Sequence, residues 1–155
     1  MTLTATAAPT HAAQLAWGYR YVKVEPSHFR VDYQINPFMD LADQPDPVRA
    51  REQWDALVAT IERLGGRVDT IAQRDDAPDM VYAMNLGLGV ETEDGAPHVV
   101  MSHMRYPQRR METGSAHAWF MENGYTTSYV GRDGDGAHFE AGDAFAFGDA
   151  LLVGY

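Results

Sequence analysis

An α/β fold is predicted for this chain by three observations. Short β-branched runs alternate with two helical patterns, glycine and proline turn signals separate them, and comparable helix positions recur at roughly 60 to 65 residues. Each helix is expected outside a small mixed sheet. A length of 155 residues suits one domain that buries about two-thirds of its unfolded surface. A hydrophobic fraction of 45% and an aromatic fraction of 11% exclude wholesale disorder.

Met1 to Gln14 is rich in Ala and Thr, with neither a basic region nor a long apolar core. Residues 1–18 are therefore expected to be a disordered leader, in a cytoplasmic protein. Arg20 to Val24 alternates Tyr and Val as a strand, and Glu25-Pro26-Ser27 breaks it. Phe29 to Pro47 combines aromatics with Pro37, Pro45 and Pro47, which suits a long ordered loop of the kind that covers a site. Asp46 is placed as an N-cap with Pro47 in the first turn. Trp54, Leu57, Val58, Ile61 and Leu64 then recur at helical spacing up to Gly65-Gly66.

Val68 to Ala72 reads as a strand, and a second apolar stretch runs from Met80 to Val90. His98 to Ser102 is the next strand. Gln108 to Asn123 reads as a helix with Met111, Ala118 and Phe120 inward and Gly124 as its C-terminal cap. Thr126 to Val130 is another strand, Gly131 to Gly136 a polar loop, and Ala144 to Val153 a hairpin turning at Gly148-Asp149.

Twelve Lys and Arg against 22 Asp and Glu leave a net charge of −10, which disfavours nucleic acid and anionic membrane surfaces as partners. The same field favours a small cationic ligand, although acidity also serves solubility. The chain has no cysteine, which excludes disulfides and a thiolate nucleophile within these 155 residues.

Three clusters carry candidate chemistry. Asp75-Asp76-Ala77-Pro78-Asp79 leads into Tyr82 and Asn85, either as solvated turn residues or as a wall in which Asp79 and Asn85, at the ends of a short strand, bind the N–H edges of a planar cation. Tyr82 between them offers a ring face. Arg109 and Arg110 begin the second helix against its dipole. They suit either the carboxylate of an amino acid or a surface pair with Glu112. Glu140-Ala141-Gly142-Asp143 sets two carboxylates either side of a glycine, close enough to orient an acid or base or to grip a cation. The nearby Asp133 and Asp135 fail the spacing of a calcium loop, and the histidines lack zinc spacing, so no metal or other cofactor is expected.

In order, Tyr33-Gln34-Ile35-Asn36-Pro37-Phe38-Met39, Pro78-Asp79-Met80-Val81-Tyr82 with Asn85, Pro107-Gln108-Arg109-Arg110-Met111-Glu112, and Phe139-Glu140-Ala141-Gly142-Asp143 resemble the motif set of dimethylarginine dimethylaminohydrolases, arginine deiminases and amidinotransferases. The resemblance implies a pentein fold of five α/β modules around a central channel, with residues 19–155 as about its first half, truncated before the rest. It implies a guanidino-modifying enzyme, cytoplasmic, that takes a small arginine-like substrate. Asp79 would hold substrate N–H groups, Tyr82 would line the guanidinium slot, Arg109 would bind the substrate carboxylate and Glu140 would grip the guanidinium. The loop 29–43 would act as a lid. The family's Cys nucleophile and its catalytic His have no counterparts here, so the chain alone is expected to be inactive. Amidino transfer, or a stand-alone module binding arginine-like ligands without catalysis, are the alternatives. Where many family members carry Glu and Asp, this sequence has Met84 and Asn85, which removes two charges from the slot. Self-association through the unclosed half-propeller is also expected.

Overall fold

The computed structural model describes residues 20–130, 138–147 and 150–154. The expected leader over 1–18, the polar loop over 131–136 and the turn at Gly148-Asp149 lie outside these residues. The expectation of repeated α/β units holds. Strand β1 (Arg20–Val24), helix α1 (Pro47–Arg63) and strand β2 (Arg67–Ile71) form one unit, with β1 and β2 parallel and Tyr21 opposite Val68. Strand β3 (Gly87–Glu91) pairs antiparallel with β4 (Pro97–Met101), and helix α2 (Arg110–Glu122) crosses to β5 (Thr126–Tyr129), which lies parallel to β4. Strands β6 (Ala144–Phe147) and β7 (Ala150–Val153) form an antiparallel pair. The strands are thus divided among three small sheets, of which only β3-β4-β5 is mixed.

Both helices end as their glycines require. Gly65 and Gly124 adopt φ of 89° and 83°. The next N–H in each case, from Gly66 and Tyr125, reaches back to the carbonyls of Ile61 and Phe120. At the start of α1, Asp46 accepts from the backbone of Val48 at 2.9 Å and Arg49 at 3.1 Å, as expected of an N-cap.

The core joins Val24, Ile71, Met80, Leu86, Val99, Met101, Met104, Ala116 and Phe120 across the β1-β2 and β3-β4-β5 sheets, the segment between them and helix α2. Two sequence expectations, for the inward face of α2 and for the stretch 80–90, are corrected here. Helix α1 is peripheral: Trp54, Val58 and Ile61 are half-buried, whereas Leu57 and Leu64 are exposed and no residue of α1 is fully buried. It is also tied to the sheet by a polar bond, Trp54 Nε1 donating to the Val24 carbonyl at 2.8 Å. Helix α2 turns Glu112, Thr113, Ala116 and Phe120 inward, and Met111 and Ala118 face solvent. The ladder 112, 116, 120 has helical spacing, but a charged residue heads it, so apolar periodicity alone selects the wrong face. Finally, the apolar stretch 80–90 is not one strand. Pro78–Val81 and Ala83–Asn85 are single-turn helices that precede β3. No helix among the described residues is long and apolar enough to cross a membrane.

Candidate active site

The turn at Pro78–Val81 decides where its side chains go. Met80 is fully buried and anchors the turn in the core, while Asp79, only 4% exposed, faces a cleft and Tyr82 projects half into solvent. An extended strand would have put residues 79 and 85 on one face and 82 on the other. The coiled backbone instead lets Asp79 and Tyr82 border the same space. Tyr33 donates its hydroxyl to Asp79 Oδ2 at 3.0 Å. Burial, and then the adjacent Asp79 charge, raise the Tyr33 phenol well above its ordinary value, so it remains a donor. The rings of Phe29 and Tyr82 meet edge to face at 5.8 Å.

Arg109 sits in the single turn Pro107–Arg109 that leads into α2, and it is 5% exposed. Its Nε and Nη2 donate to Glu112 Oε1 and Oε2 at 2.9 and 2.8 Å, and Nη2 also reaches the Asp79 carbonyl at 3.3 Å. Glu140 Oε2 lies 3.9 Å from Arg109 Nη1. The pair with Glu112, which one of the two sequence readings put at the surface, is therefore buried. Burial pulls the guanidinium down, but Glu112, Asp79 and Glu140 outweigh it and the net direction is up. Burial also pushes the Glu112 carboxyl up against the opposing bonds to Arg109, with Asp79 and Glu140 adding repulsion. Both directions have one cause: three carboxylates share a single cation in a region of low dielectric.

Glu140 is positioned from two further sides. Its Oε1 accepts the backbone N–H of Arg105 at 3.2 Å, and Oε2 accepts Asn85 Nδ2 at 3.4 Å. The backbone there is held by a reciprocal bridge between His103 and Phe139, at 2.7 and 3.2 Å. Gly142 is required by close approach, since a Cβ on it would lie 2.3 Å from Asn85 Oδ1.

The cleft has a volume of about 300 Å³. Asp79, Tyr82 and Arg109 line it from one side, and Phe29, Asp40 and Asp43 of the long loop line it from the other. That loop is ordered by its own side chains. Gln44 bonds both the N–H and the carbonyl of Val31, at 3.0 and 2.8 Å, and Arg30 reaches the Asp75 carbonyl at 2.8 Å. Of the five candidate residues, three border the cleft. Glu140 and Asn85 adjoin it through Arg109 but do not line it, and Glu140 faces a neighbouring hollow with Arg105 and His138. Sequence reasoning expected the loop 29–43 as a lid but did not single out Asp40 and Asp43 as wall residues, or Tyr33 as the partner of Asp79. The available signal was the concentration of aromatics and acids in a loop too long to be a simple connection.

No family model matches the chain. The N(G),N(G)-dimethylarginine dimethylaminohydrolase of Mycobacterium tuberculosis is 35% identical over 139 residues, covering 88% of this chain and 42% of that protein. The N-terminal domain of ArgZ, a cyanobacterial arginine dihydrolase solved as a cysteine-to-serine mutant bound to substrate, superposes with a TM-score of 0.75 at 35% identity, over 88% of this chain and 48% of that one. A dimethylarginine dimethylaminohydrolase adduct with 4-chloro-2-hydroxymethylpyridine superposes with a TM-score of 0.62 at 18% identity, which shows a shared fold. The chain spans about half the length of the relatives it matches. Over that span it is a homologue of dimethylarginine dimethylaminohydrolases and arginine dihydrolases and shares the mixed α/β fold of the matching part.

Proposed function

From this homology, we propose that the chain supplies the substrate-holding half of an enzyme that hydrolyses an arginine-like guanidino compound. The observation that carries the reading is the charge around the cleft: Asp40, Asp43 and Asp79 in its wall, with Glu112 and Glu140 just behind, against the single guanidinium of Arg109. Asp79 and Glu112 are buried and Glu140 half-buried, while Asp40 and Asp43 are exposed at the mouth of the cleft. The net negative charge favours a cation, and a planar guanidinium offers several N–H donors to it at once.

In this reading residues 19–155 are about the first half of a five-module pentein. Asp79 accepts N–H groups of the substrate, and Tyr82 with Phe29 forms the apolar side of the slot. Arg109 offers Nη1 to the carboxylate tail, because its other nitrogens are engaged. Asn85 keeps Glu140 beside Arg109, where its charge adds to the attraction for a cation from behind the cleft wall. The loop 29–43 acts as a lid, and its acids add attraction for the cation. Fixing the flat cation against these groups before attack removes reorganisation from the chemical step. A cysteine thiolate and a histidine from outside these 155 residues complete the reaction by covalent catalysis. Support for the thiolate comes from the ArgZ domain, whose substrate complex is a cysteine mutant and which in another structure is covalently bound to a reaction intermediate.

A second reading is a module that binds such ligands without turning them over. Amidino transfer on the same scaffold is a variant of the first. The exposed Phe145, Phe147, Leu151 and Leu152 of the β6-β7 pair also support self-association, readable as a dimer by sedimentation.

The test is a calorimetric titration of the chain with arginine and with dimethylarginine, beside an assay for citrulline. Asp79→Asn keeps the shape and an acceptor for Tyr33 but removes the charge, and it is expected to weaken binding about tenfold, equivalent to about 1.4 kcal/mol. Unchanged affinity in that variant overturns the cleft as the cation site. Citrulline release by the 155 residues alone overturns the thiolate route.

A further inference from the structure

Arg109 and Arg110 are neighbours in sequence, but they border different spaces. On the other side of the first turns of α2 lies a second cavity of about 220 Å³, lined by Ser102, His103, Met104, Arg110, Thr113 and Tyr129 among others. None of its described lining residues is acidic, in a chain with 22 Asp and Glu. Two buried polar atoms belong to that wall, His103 Nδ1 and Thr113 Oγ1, and neither has a hydrogen-bond partner among the described residues. Thr113 is 5% exposed. Buried polar groups are normally satisfied, and two orphans on one cavity mark a place where a polar guest recovers lost bonding.

The rest of the wall supplies donors. Ser102 Oγ already accepts the Ala141 N–H at 3.0 Å, which leaves its own O–H to donate. Arg110 spends Nε and Nη2 on the carbonyls of Met104 and Arg105, at 3.1 and 3.2 Å. Those bonds fix the guanidinium at the rim with its full charge unpaired by any carboxylate among the described residues. The positive end of the α2 dipole adds to the same sign.

We propose that this cavity binds a small oxyanion, a carboxylate or a phosphate, through Thr113, Ser102, His103 and Arg110. The proposal stands independently of the function assigned to the cleft.

The chain, labelled with nitrogen-15, is titrated at fixed ionic strength with inorganic phosphate and separately with acetate. Saturable shifts at His103, Thr113 and Gly114 are expected with at least one of them, and the responding arm identifies the anion chemistry. Arg110→Gln and Thr113→Val are each expected to weaken that binding about tenfold, whereas Arg51→Gln, on the surface of α1, leaves it unchanged. Thr113→Val is nearly isosteric and removes an oxygen without a partner, so its Tm is expected to stay at or above that of the parent chain. No saturable response to either anion, or parental affinity in Thr113→Val, overturns the proposal. So does a crystal structure grown in both salts with only water on the two orphan atoms.

Discussion

The two sides of the α2 entrance present opposite electrostatics one residue apart. Arg109 is buried among Glu112, Asp79 and Glu140, and its nitrogens are largely consumed by them. Among the described residues Arg110 is held by backbone carbonyls alone and meets no carboxylate in the lining of its cavity. Successive helical residues point about 100° apart, so a single dipeptide can serve two spaces. The difference shows what burial demands of a charge. A cation taken out of water is retained only with anions around it, and the surplus of those anions then defines the neighbouring cleft.

The strongest way to break this comparison is to remove the anion that holds Arg109. Glu112→Gln removes the carboxylate that holds the buried guanidinium at two points, leaving it the more distant charges of Glu140 and Asp79, and is expected to cost about 3 to 5 kcal/mol. Arg110→Gln is expected to cost less than about 0.5 kcal/mol, as for a surface substitution. Urea denaturation of both variants measures the contrast, and equal losses would show that the two arginines are not distinguished by burial.

Gly142→Ala sharpens the comparison from the cleft side. The added methyl displaces Asn85 from Glu140, at a cost of about 1 to 3 kcal/mol. Guanidinium affinity is expected to fall with it while anion binding behind α2 is unaffected, as paired titrations would report.

The smallest effect is that of Tyr33→Phe, about 1 kcal/mol for one hydrogen bond. Its signature is its pH dependence. The phenol is raised in the folded chain, so its contribution is complete below the ordinary phenol value of about 10 and is lost as pH rises through the higher folded value. Stability measured from pH 9 upward is expected to fall more steeply in the parent chain than in Tyr33→Phe, and identical slopes would show that the hydroxyl is not held by Asp79.

Local signals in the sequence were readable wherever a short stretch of chain carries its own physical cause. Asp46 with Pro47 starts α1, and Gly65 and Gly124 end the helices, because capping involves only residues within a turn of one another. The clustering of Asp79, Tyr82 and Arg109 was also anticipated through motif content. Their geometry was not. Met80 to Val90 reads as one apolar stretch, but Met80 is buried in the core and the backbone coils over Pro78–Val81 and Ala83–Asn85 before β3 begins. The inward face of α2 was misread because Glu112, a residue ordinarily left in water, is buried with Arg109.

By itself the sequence determined the α/β alternation, the helix ends, the acidic balance and the absence of a thiol, all properties of composition or of neighbours along the chain. Only the tertiary structure decided that Arg109 is buried and Arg110 is not, that Tyr33 meets Asp79 across 46 positions, and that His103 and Thr113 share one cavity. Those outcomes depend on which surfaces lose water together, and desolvation is a property of the packed chain that no local window of residues contains.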